Sequence, residues 1–253
     1  MTVFRYDGTF EGLLCSVFEA FSLKIFPDRL IREGEPEPMF TAHTHNIITC
    51  TESSDRVWAG INKKIPKENC NMLMHVWLSE EPESDILIFK YIRKVFGMVG
   101  FSATNFGDPD VLQTKQIAQK VARERLFIIQ FVRFRKATDD TFFATISPRC
   151  NALPLAINYF TDRFADQKWI IYDIKRKYGY YYDLKTASEM TLANDDNFAI
   201  GKLDESLMVE DEKLFQKLWK NYFNALTIKE RINLKLQRQH MPKRFWKYLT
   251  EKQ

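Results

Sequence analysis

Trp169-Ile-Ile-Tyr-Asp-Ile174 and Gly179-Tyr-Tyr-Tyr-Asp-Leu184 are two short runs rich in aromatic and β-branched residues. Such runs read as strands, and the basic tip Lys175, Arg176 and Lys177 joins them as a hairpin. Upstream, Leu126 to Phe134 (LFIIQFVRF) and Thr141 to Ser147 (TFFATIS) have the same character, with a turn at residues 138–140 between them. Pro148 closes the second run, and Leu153, Ile157, Phe160 and Phe164 then recur at helical spacing. A further short strand is expected near Met190. Strand, strand, helix, strand, strand predicts a small, mainly antiparallel sheet with one helix packed on a face.

Outward from this sheet the periodicity is helical. Asp7 and Thr9 are both competent N-caps, Glu11 suits the first turn, and Phe10, Leu13, Leu14, Val17, Phe18 and Phe21 follow as one stripe. Residues 32–38 (REGEPEP) read as a polar loop, and His43, His45 and Ile47 alternate as a short strand. Ser54 and Asp55 can cap a helix through Val57, Trp58 and Ile61; Pro66 opens another with Leu73 and Val76; a third runs from Glu83 to Val99. Asp108-Pro109-Asp110 starts one more, bearing Lys115, Lys120, Arg123 and Arg125.

Beyond the sheet, Glu212 begins a helix whose Leu214, Phe215, Leu218, Trp219, Tyr222, Phe223 and Leu226 form an apolar face, expected in the core, with Lys213, Lys217 and Lys220 off it. Thr227 with Glu230 reads as a capping box opening a second helix, and Pro242 as the start of a short third. The predicted fold is α+β: a helical N-terminal half, a small mainly antiparallel sheet with a packed helix, and a basic helical C-terminal segment. The expected divisions are 1–110, 111–200 and 201–253, within one compact unit.

The 253 residues include 21 Phe, 10 Tyr and 5 Trp, enough apolar bulk to offset ordering entropy and exclude disorder. No apolar run approaches the length of a membrane span, and Arg5, Asp7, Glu11 and Glu19 interrupt any export signal. Cys15, Cys50, Cys70 and Cys150 are scattered without a CxxC pair, which implies reduced thiols and a cytoplasmic location. From Glu212 to Gln253 there are eleven Lys or Arg and three Glu, a net of +8, while residues 1–211 hold 26 Lys or Arg and 30 Asp or Glu, a net of −4. That polarity points to an anionic partner at the basic end, or to the basic end packing on the acidic body.

No GxGxxG, GxxxxGK[ST], HExxH or GxSxG is present, which argues against dinucleotide-fold enzymes, P-loop enzymes, common zinc proteases and α/β-hydrolases. His43 and His45 share a strand face, but a metal site needs further ligands, so no metal and no cofactor are expected. His75, in an apolar helix, reads as a satisfied core histidine. Asp7, Glu11 and His240 are the candidates for acid–base work, although capping accounts for both carboxylates. Nucleic acid binding needs several cations on one surface and rings or guanidinium planes for stacking. Arg231, Lys235, Arg238, His240, Lys243 and Arg244, interleaved with Phe245 and Trp246, offer both. Lys175, Arg176 and Lys177 beside Tyr178, and Arg149 ahead of a helix N-terminus, extend the set.

Three stretches carry a family resemblance: Phe4-Arg-Tyr-Asp-Gly-Thr-Phe-Glu-Gly12, the pair Trp169-Ile-Ile-Tyr-Asp173 and Tyr178-Gly-Tyr-Tyr-Tyr-Asp183, and Gln237-Arg-Gln-His-Met-Pro-Lys-Arg-Phe-Trp-Lys-Tyr-Leu249. They resemble a bacterial family of DNA-metabolism or DNA-repair proteins whose conserved domain is classed as of unknown function. The resemblance implies a DNA-repair accessory role beside a radical SAM partner; in other members the domain is fused to a uracil-DNA glycosylase-like domain. This chain lacks the CxxxCxxC cluster motif, so any iron–sulfur chemistry belongs to the partner. Two other functions stay open: a glycosylase- or nuclease-type enzyme without a standard motif, and a protein-interaction module docking an acidic partner.

Overall fold

Thr2–Tyr6 forms strand β1, ahead of the helix expected at the start of the chain. Val3, Phe4 and Tyr6 are fully buried, so both faces of the strand are covered, as in parallel sheets. Helix α1 (Phe10–Leu23) crosses over to β2 (Arg29–Arg32), which pairs with β1 in parallel; β3 (His43–Asn46) pairs with it in parallel on the other side. Thr9 is the N-cap of α1, its hydroxyl accepting from the Gly12 amide at 3.0 Å.

Helices α2 (Thr51–Lys64), α3 (Lys67–Leu78) and α4 (Ser84–Gly97) follow, then α5 (Pro109–Phe131). Their buried stripes share one core with Leu13 and Val17 of α1, including Ile61, Leu73, Ile88 and Ile92. Pro66 caps α3 and Pro109 opens α5, as their fixed φ predicts. Ser54 and Asp55 do not start α2: Cys50 holds its N-cap, and the buried Ser54 hydroxyl donates to Thr51 O at 2.9 Å.

The computed structural model describes residues 1–98, 100–138, 140–192 and 210–252, and it divides into two units, 1–122 and 123–253. Val99, Asp139 of the expected turn, Gln253 and the expected boundary at 200/201 fall outside the described residues.

The second unit carries a five-stranded sheet in the order β4-β5-β6-β7-β8: β4 (Arg135–Lys136), β5 (Phe142–Ile146), β6 (Trp169–Asp173), β7 (Tyr178–Tyr182) and β8 (Ala187–Met190). Three of its pairings are antiparallel, and β5 with β6 is parallel, because α6 (Leu153–Arg163) carries the chain back to the starting edge. Trp169, fully buried, stacks on Tyr182 at 5.3 Å between centroids and meets Phe160 at 6.1 Å.

Leu126 to Phe131 is helix rather than strand, a correction with a clear cause. Ala122 to Arg125 continues a helix already nucleated at Pro109, with no Gly or Pro to stop it. Phe127 and Phe131, one turn apart, stack at 5.9 Å and pack on Phe245.

The C-terminal segment holds α7 (Glu210–Leu226), a 3-10 turn at Lys229–Arg231, α8 (Leu234–His240) and 3-10 turns at Lys243–Tyr248 and Thr250–Lys252. Thr227 and Glu230 do not make a capping box: the Thr227 hydroxyl donates back to Phe223 O at 2.7 Å, and Asn233 caps α8 by accepting from Leu236 N at 3.0 Å. The apolar face of α7 is not core either. Leu214, Phe215, Leu218, Trp219, Tyr222 and Leu226 are 42% to 63% exposed. Phe245, Leu249 and Phe131 form the buried cluster of this region.

Candidate functional site

The parallel strands β5 and β6 end side by side, Ile146 opposite Asp173. Ligands in open sheets gather beyond the carboxyl ends of parallel strands, where the connections splay apart. Here the two connections are the loop 147–152, leading into α6, and the turn 174–177, leading into β7.

Asp173 builds the turn. Its carboxylate is fully buried; Oδ1 accepts from Lys175 N at 2.9 Å and Arg176 N at 3.4 Å, and Oδ2 accepts from Arg176 Nη1 at 2.7 Å. An aspartate bonding the backbone two and three residues on is an Asx-type turn; Lys177, whose N–H donates to Asp173 O at 2.8 Å, closes it with a φ of 59°. Burial pushes the Asp173 carboxyl above its ordinary value, and Arg176 offsets part of that rise.

Cations join the turn to the loop. Arg176 Nη1 donates to Pro148 O at 3.3 Å and Nη2 to Arg149 O at 3.3 Å, while Lys175 Nζ donates to the same Arg149 O at 3.1 Å. Tyr178 donates to Asn151 Oδ1, and burial raises its phenol well above the ordinary value. The Arg149 guanidinium is exposed and makes no hydrogen bond among the described residues.

Glu124 of α5, 4% exposed, forms the floor. One carboxylate oxygen accepts from Arg149 N at 2.9 Å and the other from Arg244 Nη2. Burial pulls the Arg244 guanidinium below its ordinary value; Glu124 resists the change and Arg149 adds to it. Arg244 lies 4.5 Å from the Phe245 ring centroid, and its buried Nε has no hydrogen-bond partner among the described residues. Arg176 and Arg244 thus pair with the two buried carboxylates, Lys175 binds the Arg149 carbonyl and the Arg149 guanidinium is exposed, so four basic residues gather around two acidic ones.

The other candidates distribute differently. Lys177 is exposed on the same turn; Arg231, Arg238, His240 and Lys243 are exposed along the C-terminal segment. Trp246 is half-buried, donating Nε1–H to Met241 O at 3.0 Å and packing beside Phe131 and Leu249. Asp7 and Glu11 are exposed at the start of α1 in the other unit. The Asp7 carboxylate accepts from Thr9 N at 2.9 Å and from the Thr9 and Thr49 hydroxyls at 2.7 Å each. Burial works upward on that carboxyl, but these bonds prevail and hold it below its ordinary value. His45 faces Glu19 at 3.8 Å and Phe4 at 5.1 Å, and His75 is half-buried in α3. No group of three or more metal-ligating side chains occurs among the described residues, and no described helix is long and apolar enough to cross a membrane.

Sequence reading misses Glu124, Asn151 and Asp173, although Asp173-Ile-Lys-Arg176 carries the Asx-turn signal. It also misses Asp85, which accepts from the Tyr6 hydroxyl and from Arg32 Nε at 3.1 Å and Nη2 at 3.0 Å. Arg32 in turn lies 5.4 Å from the Trp77 ring centroid.

These features define a two-unit α+β protein, each unit having a parallel strand–helix–strand crossover. The chain belongs to the family described as a domain of unknown function, DUF4130, whose model matches residues 82–251. No curated protein matches it in sequence. Among solved structures it is similar to a pGpG-specific phosphodiesterase, PggH, from Vibrio cholerae, at 12% identity, covering 88% of this chain and 99% of that one with a TM-score of 0.34. A likeness at that level carries no argument about chemistry.

Proposed function

We propose that the chain binds the phosphate backbone of nucleic acid, DNA foremost, at the carboxyl edge of β5 and β6, as an accessory protein of DNA metabolism or repair in the cytoplasm. One observation carries the reading: Lys175 and Arg176 both donate to the Arg149 carbonyl, while the Arg149 amide and the Arg244 guanidinium share the Glu124 carboxylate, which places four basic residues around one short loop. Neutralising phosphates with such a cluster releases counterions, which drives binding. The exposed Arg231, Arg238, His240 and Lys243 would extend the track. The test is binding of labelled single- and double-stranded oligonucleotides across a salt series. Affinity that falls as salt rises, and weakens in Arg149→Ala with Lys175→Ala, supports the reading. Affinity absent at low salt, or flat with salt, ends it.

A second reading follows from α7. Its exposed apolar face shares the helix with Lys217 and Lys220, and the basic Arg231 and Lys235 follow in sequence, a combination suited to a partner protein whose apolar groove is rimmed by carboxylates. The family resemblance implies a radical SAM protein as a partner. Co-purification that survives nuclease treatment and is lost in Leu218→Glu supports a protein dock. Loss of the partner on nuclease treatment assigns the association to nucleic acid instead.

A further inference from the structure

Two of the four cysteines touch, far apart in sequence and outside the anion site. Cys15 lies in α1, 1% exposed; Cys50 is the exposed N-cap of α2. The Cys15 thiol donates to Cys50 O at 3.2 Å, and Cys15 Sγ lies 3.3 Å from Cys50 N, within reach of its N–H. In a disulfide each sulfur stands about 4 Å from its partner's Cα, given a Cα···Cα span of about 4.4–6.8 Å. Cys15 Sγ therefore already rests against its partner's backbone, and bonding requires the Cys50 side chain to bring its own sulfur to it.

The two sulfurs are chemically unlike. Cys50 faces the amides of Ser53 and Glu52 and the Ser53 hydroxyl at the amino end of a 14-residue helix, and these donors hold its thiol below the ordinary value. Burial pushes the Cys15 thiol up. One sulfur is open to solvent and more acidic than an ordinary thiol; the other is shielded and less acidic.

We propose that Cys50 is a site of oxidation by hydroperoxides and that Cys15 is its resolving thiol. The Cys50 thiolate attacks one peroxide oxygen; the O–O bond breaks, the sulfur is oxidised to a sulfenic acid, and the alcohol or water leaves after taking a proton from solvent. Cys15 Sγ then attacks the Cys50 sulfur; the S–S bond forms, the S–O bond breaks, and the departing hydroxide takes the Cys15 proton as water. A small external thiol reverses the product by exchange. The disulfide draws Cys50 toward α1. Thr49, its neighbour, donates to Asp7 at 2.7 Å, so closure loads the contact that anchors the first turn of α1.

The test treats the full chain with hydrogen peroxide near equimolar ratio, then quenches and maps peptides. The expected product has lost two hydrogens, recovers them with dithiothreitol, and yields a peptide joining residues 15 and 50. Cys50 should also react with a maleimide roughly tenfold faster than Cys70 or Cys150. In Cys15→Ser, Cys50 should retain a sulfenic acid that dimedone traps; the wild-type mapping stands by itself should that variant fold poorly. Oxidation spread evenly over the four cysteines, or Cys50 passing to sulfinic acid as fast in the wild type as in Cys15→Ser, would overturn the proposal.

Discussion

Arg244 and Glu124, 120 residues apart in sequence, form an ion pair in which Glu124 also accepts from the Arg149 amide. Glu124 is thus the group that allows two guanidinium groups to sit near one another. In Glu124→Gln the pair is lost and Arg244 faces Arg149 uncompensated. Urea unfolding should show a loss of about 2–3 kcal/mol, the lower part of the range for a broken buried pair because Arg244 is one-quarter exposed. Affinity for oligonucleotides should rise at the same time. Unchanged stability would remove Glu124 as the organiser of the site.

Arg149 and Arg176 should respond oppositely to truncation. Arg149→Ala removes an exposed, unbonded side chain, so stability should stay within about 0.5 kcal/mol while the slope of log affinity against log salt drops by roughly 0.7–0.9 per lost phosphate contact. Arg176→Ala leaves the fully buried Asp173 without its cation and should cost about 3 kcal/mol. Thermal melts with salt titrations separate the two cases; equal behaviour would refute the division.

Asp108 accepts from Lys94 at 2.7 Å and from Asp110 N at 2.9 Å at the start of α5. The Lys94 ammonium, with these amides, holds the carboxyl below its ordinary value of 3.8, and a depressed carboxyl stabilises the fold only while ionised. The contribution is therefore complete above the ordinary value and lost as pH falls through the lower folded value. Asp108→Ala should cost about 1–2 kcal/mol near neutrality, and the gap to wild type should close below about pH 4. A gap that widens in acid contradicts the assignment.

Gly179 in β7 has no room for a methyl group: a Cβ there would lie 2.4 Å from the carbonyl oxygen of Ile171 on the paired strand. Backbone cannot step aside as a side-chain tip can, so Gly179→Ala should cost roughly 2 kcal/mol or more. Gly12→Ala would set a Cβ 2.2 Å from Asp7 Oδ1, displacing the carboxylate from Thr9 and Thr49. Chemical denaturation of both variants provides the check, and wild-type midpoints would count against these packing arguments.

Phe215 and Leu218 on α7 are 63% and 52% exposed. Phe215→Glu and Leu218→Glu should leave stability within about 0.5 kcal/mol while reducing binding of an apolar dye. A cooperative loss of stability would mean that this face is covered in solution.

The hairpin of β6 and β7 was legible because WIIYD and YGYYY carry their strand signal locally, with Lys175 to Lys177 as an evident tip. Helices α3, α4 and α6 were legible for the same reason. Leu126 to Phe131 was not, since its β-rich composition is overridden by a helix already under way and by Phe245 far along the chain. β1 was hidden because Val3 and Phe4, adjacent in sequence, are both buried, so the strand shows no alternation. Of the site, the cations were readable and the carboxylates that assemble them were not: Glu124 sits in a charged stretch of α5, and only the fold brings Arg149 and Arg244 to it. The face of α7 has the period of a buried helix, and period alone does not say whether anything covers it.

Synthesis runs from Glu124 toward Arg244, and 120 residues separate them. At about 5–20 residues per second, a ribosome supplies the arginine roughly 6–24 s after the glutamate. Once Asp173 has been made, β5, α6 and β6 can pair, but the Glu124 carboxylate still lacks the guanidinium that pairs with it. A nascent chain therefore holds a half-built edge in which Glu124 lacks its guanidinium partner until Arg244 arrives.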